Sequence, residues 1–109
     1  MKLAIIGSRN ITDINLDNFV PKNATMIISG GAIGIDSLAE EYADRHCLKK
    51  LIIKPDYSTF GKVAPLIRNK AIVNAADQIL AIWDGKSPGT KFTMDYAEKK
   101  GKLALLILV

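Results

Sequence analysis

Ser29-Gly30-Gly31-Ala32-Ile33-Gly34-Ile35-Asp36 decides how this chain is read. It follows Ala24-Thr25-Met26-Ile27-Ile28, a short apolar run of strand character. It opens into Ser37-Leu38-Ala39-Glu40-Glu41-Tyr42-Ala43, which has the spacing of a helix. Glycines let the backbone approach a ligand closely, and a helix N-terminus offers unpaired N–H groups and a dipole that favours negative charge. The stretch therefore points to a binder of phosphate, nucleotide or nucleic acid. A steric reading stands beside this one, because a tight strand-to-helix turn needs glycines whatever it binds.

The flanking sequence extends the same pattern in both directions. Upstream, Lys2-Leu3-Ala4-Ile5-Ile6 is a continuous apolar run of the kind parallel strands show, ended by the loop Gly7-Ser8-Arg9. Thr12 or Asp13 then caps a short helix expected through Phe19 and closed by Pro21. Downstream, the helix runs to Arg45 or His46, with Ile35, Leu38, Ala39, Tyr42 and Ala43 on one face. A third strand is expected within Leu48–Lys54, centred on Leu51-Ile52-Ile53 and ended by Pro55. Asp56 to Gly61 reads as a loop, Lys62 to Ala75 as a helix and Gln78 to Trp83 as a fourth strand. The turn Asp84-Gly85-Lys86-Ser87-Pro88-Gly89-Thr90 leads into a helix from Thr90 to Lys100, with Gly101 as its C-terminal stop. Lys102 to Val109 is the last strand.

Five short apolar strands alternating with helices predict an α/β fold: one Rossmann-like, three-layer domain over residues 1–109, with a mostly parallel five-stranded sheet covered on both faces. Ligands of such sheets bind outside the carboxyl ends of the strands. Those ends carry Gly7-Ser8-Arg9, Ser29-Gly30-Gly31, Pro55-Asp56-Tyr57 and Asp84 to Thr90, so the polar and glycine-rich residues gather on one edge.

Composition narrows the classes. The chain has 109 residues, 49% hydrophobic and 24% charged, which fits one soluble domain with one core. No apolar run approaches the ~20 residues of a membrane helix, and Met1 to Arg9 shows no signal-peptide pattern. The single Cys47 forms no internal disulfide and suits a reducing cytoplasm. With one histidine, His46, there is no zinc or triad constellation, and no cofactor is implied. The net charge of +4 favours anionic partners. The basic residues are dispersed, however, and pairs such as Lys49-Lys50 and Lys99-Lys100 fall at helix ends, where they complement the dipole.

Taken together, Gly7-Ser8-Arg9, Ser29 to Asp36, Arg68-Asn69-Lys70 and Pro88-Gly89-Thr90 resemble the SLOG superfamily of Rossmann-like proteins, over nearly the whole chain. That superfamily includes the Smf/DprA DNA-processing proteins and the LOG phosphoribohydrolases. The DprA pattern Ser-Gly-x-Ala-x-Gly-Ile-Asp is met from Ser29 to Asp36, and its Arg-Asn pair by Arg68 and Asn69. DprA proteins bind single-stranded DNA on this domain, but the chain lacks their flanking domains and resembles more the small stand-alone members, which are proposed to bind nucleotides or nucleotide-derived signals. LOG enzymes cleave the N-glycosidic bond of nucleoside 5′-monophosphates with a glutamate whose place falls here on Thr93. Asp95, two positions on, points in another direction on a helix.

The resemblance implies a phosphate-bearing ligand on the carboxyl edge, with homo-oligomers formed through helices beside the site. In this scheme the candidate ligand-binding residues are Gly7, Ser8, Arg9, Ser29, Gly30, Gly31, Asp36, Arg68, Asn69, Gly85, Gly89 and Thr90. Backbone N–H groups of Gly30, Gly31 and Gly89 approach the phosphate, helped by the Ser29 and Thr90 hydroxyls. Arg68 neutralises it, since a guanidinium binds phosphate bidentately. Arg9 takes a second phosphate or the base. Two structural alternatives stay open: Arg68 pairs with Asp36, and Asp36 serves only the dipole of its helix. Trp83 and Tyr57 are candidates to stack on a base, with a core position as the other reading of Trp83. Single-stranded DNA remains a competing partner, although no dense basic stripe with interleaved aromatics is present.

Overall fold

Each apolar run of the sequence becomes a strand because continuous Ile, Leu and Ala leave no polar face to present to water. The computed structural model describes residues 1–109. Its strands are β1 (Lys2–Gly7), β2 (Met26–Ser29), β3 (Lys49–Ile52), β4 (Gln78–Trp83) and β5 (Leu103–Leu108). The helices are α1 (Ile35–Arg45), α2 (Tyr57–Phe60), α3 (Ala64–Ala75) and α4 (Pro88–Lys99), with single 3-10 turns at Leu16–Asn18 and Gly61–Val63.

The strands form one sheet in the order β3-β2-β1-β4-β5. Every pairing is parallel, so the sheet is wholly rather than mostly parallel. Side chains alternate across it and make two cores. On one face Leu3, Ile5, Ile27, Leu80 and Ile82 pack against Ile35, Ala39, Tyr42 and Ala43 of α1. On the other, Ala4, Ile6, Ile28, Ile79 and Ala81 meet Ile72 and Val73 of α3 and Met94 and Ala97 of α4. The direction of strand progression reverses at β1. That reversal is the switch point, where the carboxyl ends of neighbouring strands diverge and leave a crevice.

Several local expectations are corrected. The helix expected from Thr12 or Asp13 to Phe19 is only the 3-10 turn Leu16–Asn18, and its cap is Asn15, whose Oδ1 accepts from Asp17 N at 3.0 Å. The loop at Asp56–Gly61 contains α2, because Asp56 Oδ1 accepts from Thr59 N at 3.2 Å and satisfies an otherwise unpaired helical amide. Helix α4 begins at Pro88, two residues before Thr90, since proline at a first helical position gives up no hydrogen bond. The sheet is not fully covered on both faces. Helix α1 lies against β1, β2 and β3, and Leu105 and Leu106 on the edge strand β5 stay 42% exposed. Lys102, just before β5, ties that edge back to α3: its Nζ donates to the carbonyls of Val73 at 3.0 Å and Asn74 at 3.3 Å, completing the C-terminal end of the helix. No helix is long and apolar enough to cross a membrane.

Candidate functional site

The crevice at the switch point is built by close backbone approach. Gly34 caps α1 with φ +75°, and a Cβ there would overlap the carbonyl group of Arg9. Only glycine allows both the conformation and the contact. The loop after β1 and the loop after β2 are therefore pressed together, and the Arg9 side chain stands beside the start of α1.

Gly30 is open for a different reason. A Cβ at this position would lie 2.6 Å from Arg68 Nη1 and 2.9 Å from Asp36 Oδ2. The missing methyl is the space in which a guanidinium from α3 and a carboxylate from α1 meet the end of β2. Arg68 is only 8% exposed. Its Nη1 donates to Gly30 O at 2.6 Å and, at 3.5 Å, to Ile53 O, while Nε donates to Asn69 Oδ1 at 2.8 Å. The protein's ion pairs lie elsewhere and no carboxylate oxygen comes within 4.0 Å of the guanidinium, so the expected alternative of an Arg68–Asp36 pair does not form. A buried cation is thus held by carbonyl dipoles without a bonded counter-ion. Burial lowers its pKa, with the nearby charge of Asp36 working against that shift and Arg9 adding to it.

Asp36 sits in the first turn of α1, and its Oδ2 accepts from Ala32 N at 3.1 Å. Burial pushes its carboxyl up from the ordinary value. The Ala32 N–H, Arg68 and Arg9 oppose that rise. Asp84, at the end of β4, behaves in the opposite way. Its Oδ1 accepts from Ser87 N at 2.8 Å and Lys86 N at 2.9 Å, and these amides hold the carboxyl well below the usual carboxylate range. The Ser87 hydroxyl donates to Asp84 Oδ2 at 3.1 Å and does not cap α4. The first backbone bond into that helix is Lys91 N to Ser87 O at 3.2 Å, so the amides of Gly89 and Thr90 have no acceptor within the chain.

These groups surround a cleft of about 550 Å³. Of the residues singled out from the sequence, Gly7, Arg9, Asp36, Arg68, Asn69, Gly89 and Thr90 line it. A smaller cavity of about 360 Å³ adjoins it, sharing Arg9, Ala32 and Arg68, and adds Gly30 and Gly31. Ser8, Ser29 and Gly85 line neither. The buried Ser8 Oγ accepts from Asp84 N at 3.1 Å and joins the ends of β1 and β4. Ser29 Oγ donates to Asp36 O at 3.3 Å, which anchors α1 and turns the hydroxyl away from the phosphate role expected of it. Gly85 faces Leu108 on the β5 side. Gly7 lines the cleft, but the space of its missing Cβ is taken by Ile35 and the Ile82 carbonyl, so it also lets α1 dock on the sheet. Neither Trp83 nor Tyr57 lines the cleft. Trp83 is half-buried and donates from Nε1 to Ser87 O at 3.0 Å.

The geometry also adds Asn10, Lys54, Asp84 and Thr93 to the cavity walls. Asp84 follows directly after β4 and Lys54 lies two residues past the end of β3, and that position at the carboxyl end of a strand was the available signal. Thr93 Oγ1 donates back to Gly89 O at 2.9 Å, within its own helix. No three His, Cys, Asp or Glu side chains are grouped closely enough to hold a metal ion. The chemistry on offer is therefore anion recognition by two arginines and free helix amides, beside one carboxylate of raised proton affinity. In comparisons with known proteins, the chain matches no protein-family model, no curated protein and no solved structure.

Proposed function

We propose that the chain binds a nucleotide or nucleotide-derived ligand in this cleft, with a phosphoryl group as the counter-ion of Arg68. The observation that carries this reading is a nearly buried guanidinium with no carboxylate within 4.0 Å. A buried charge is costly unless paired, and an incoming phosphate offers the anionic partner that the protein withholds, at the Nη2 group that no protein atom engages. The free amides of Gly89 and Thr90 at the start of α4 supply donors for the same group. On this reading the chain is a SLOG-type domain, a cytoplasmic binder whose copies associate beside the site, and sedimentation velocity tests the last point.

A thermal-shift and calorimetric screen against nucleoside mono-, di- and triphosphates, cyclic dinucleotides, NAD, ADP-ribose and short single-stranded DNA tests the proposal. Ligand at about 100 times its Kd adds ~2.7 kcal/mol of apparent stability, a rise of several degrees. The expected result is a selective shift that Arg68→Ala removes. No shift with any nucleotide, or one that survives Arg68→Ala, overturns the assignment. Binding of DNA alone, falling steeply with salt, replaces it with a DprA-like reading.

Hydrolysis is the second reading, favoured by one observation: Asp36, with its raised proton affinity, lines the cleft. Cleavage of an N-glycosidic bond needs a carboxylate to stabilise positive charge on the ribose or to activate water. Thr93, where the LOG glutamate would fall, offers only a hydroxyl already bonded to Gly89 O. Release of free base from nucleoside 5′-monophosphates, lost in Asp36→Asn, is the corresponding assay.

A further inference from the structure

The smaller cavity differs from the main cleft in charge. Arg9, Lys54 and Arg68 line it, with no acidic residue among the lining side chains. The main cleft, by contrast, contains Asp36 and Asp84. None of the three cations belongs to an ion pair. The acid nearest Lys54 in sequence, Asp56, is already committed: its Oδ1 accepts from Ser58 Oγ at 2.7 Å and from Thr59 N at 3.2 Å. The Lys54 stem lies along the turn after β2, since a Cβ at Gly31 would come within 3.3 Å of both Lys54 Cγ and Cε. Arg68 stands between the two cavities and lines both. Its Nη1 and Nε are engaged by the protein, and Nη2 donates to no protein group.

Arg9 repels Arg68 across this concavity, Asp36 offsets that repulsion from the main cleft, and an anion seated among Arg9, Lys54 and Arg68 would be drawn by all three. Resting on the nucleotide reading above, we infer that the ligand carries a second phosphoryl group, seated in the cavity of Arg9, Lys54 and Arg68, while the first lies at the start of α4. The ligand class is a nucleotide with two phosphoryl groups. These are either joined, as in a nucleoside diphosphate, or set on different sugar oxygens, as in a nucleoside 3′,5′-bisphosphate.

Calorimetry at fixed salt separates the possibilities. The probes are AMP, ADP, adenosine 3′,5′-bisphosphate and their guanosine counterparts, titrated into the wild type, Lys54→Glu and Lys22→Glu. Lys22 is exposed and lines neither cavity, so its variant changes net charge equally without touching the site. In the wild type and in Lys22→Glu, at least one two-phosphate probe binds tenfold or more tighter than its monophosphate. Lys54→Glu removes most of that advantage. The joined and the 3′,5′ compounds compared with each other identify the arrangement. Equal affinity for one and two phosphates, or an advantage that survives Lys54→Glu, overturns the inference while leaving the nucleotide reading standing. No binding of any of these probes overturns the inference, and the screen with NAD, ADP-ribose and cyclic dinucleotides then decides the nucleotide reading. A second titration series, with oligothymidylate across a range of salt concentrations, covers the remaining case: steeply salt-dependent binding of the oligonucleotide alone, weakened by Lys54→Glu, overturns both in favour of a nucleic-acid groove.

Discussion

Adding one methyl group at Gly30 tests the architecture of the cleft directly. The Cβ of Gly30→Ala would stand 2.6 Å from Arg68 Nη1, and ordinary contact begins near 3.4 Å, so the guanidinium must retreat by about 0.8 Å. That retreat carries the 2.6 Å bond from Nη1 to Gly30 O to the outer limit of hydrogen bonding. Loss of a hydrogen bond to a charged group costs about 1.5–3 kcal/mol. Gly30 has no left-handed φ, so alanine is tolerated by the backbone and, without the clash, would stabilise by ~0.4–1 kcal/mol through the unfolded chain. The two effects separate in a double-mutant cycle. Gly30→Ala alone should lower stability by about 2 kcal/mol, whereas in an Arg68→Ala background only the 2.9 Å approach to the Asp36 carboxylate remains and the loss should fall to a few tenths of a kcal/mol. The coupling is then at least ~1.5 kcal/mol, measured by urea unfolding followed by circular dichroism. Additive losses would refute the reasoning, because they would mean that the main cost of the methyl group falls on Asp36 or the backbone rather than on Arg68.

Gly34→Ala faces backbone rather than a movable side chain, and its strained φ alone is worth ~1–3 kcal/mol, so a loss above ~3 kcal/mol or failure to fold is expected in a thermal melt. Lys102→Met leaves the Val73 and Asn74 carbonyls without their partner and should cost about 1 kcal/mol by urea unfolding, with ligand binding intact. Asp36 gives a pH signature. Its folded pKa lies above the unfolded value near 3.8, so the folded state holds the extra proton and stability contributed by this group falls as pH rises from about that value through the folded pKa. Asp36→Asn removes that fall, and melts from acid to neutral pH should show the variant gaining on the wild type as pH increases.

Much of this fold was legible because the strands are continuous apolar runs with glycine or proline at their ends. β1 and β4 emerge within a residue of their expected bounds. Asp56 shows why α2 was missed. Tyr57-Ser58-Thr59-Phe60 is too short to display a helical period, and the cap that creates the turn is a single side-chain bond. The exposure of β5 was hidden for another reason. Leu103 to Leu108 reads like a buried strand, and only the topology, which puts β5 at the sheet edge with α1 over the opposite half, leaves it exposed on both faces. At the site, the gathering of glycines and arginines on one edge followed from strand polarity alone. The hydroxyl directions did not: Ser29 and Ser8 face backbone partners set by packing between strands far apart in sequence. Lys54 was missed because the lysine of an exposed β3 end looks like any surface lysine until the turn at Gly31 folds beneath it.

The central place of β1 has a consequence for the chain during its synthesis. β1 pairs with β2 on one side and with β4 on the other. Once Ile52 has left the ribosome, the order β3-β2-β1 and α1 are available, but the second edge of β1 waits until Trp83 has emerged as well. At ~5–20 residues per second that interval is roughly 2–6 s, far longer than collapse or hairpin formation takes. Throughout it an apolar parallel edge and the underside of Ala4, Ile6 and Ile28 lie uncovered. The nascent chain is thus most open to chaperone capture, or to pairing with a neighbour on the same message, while α3 is emerging.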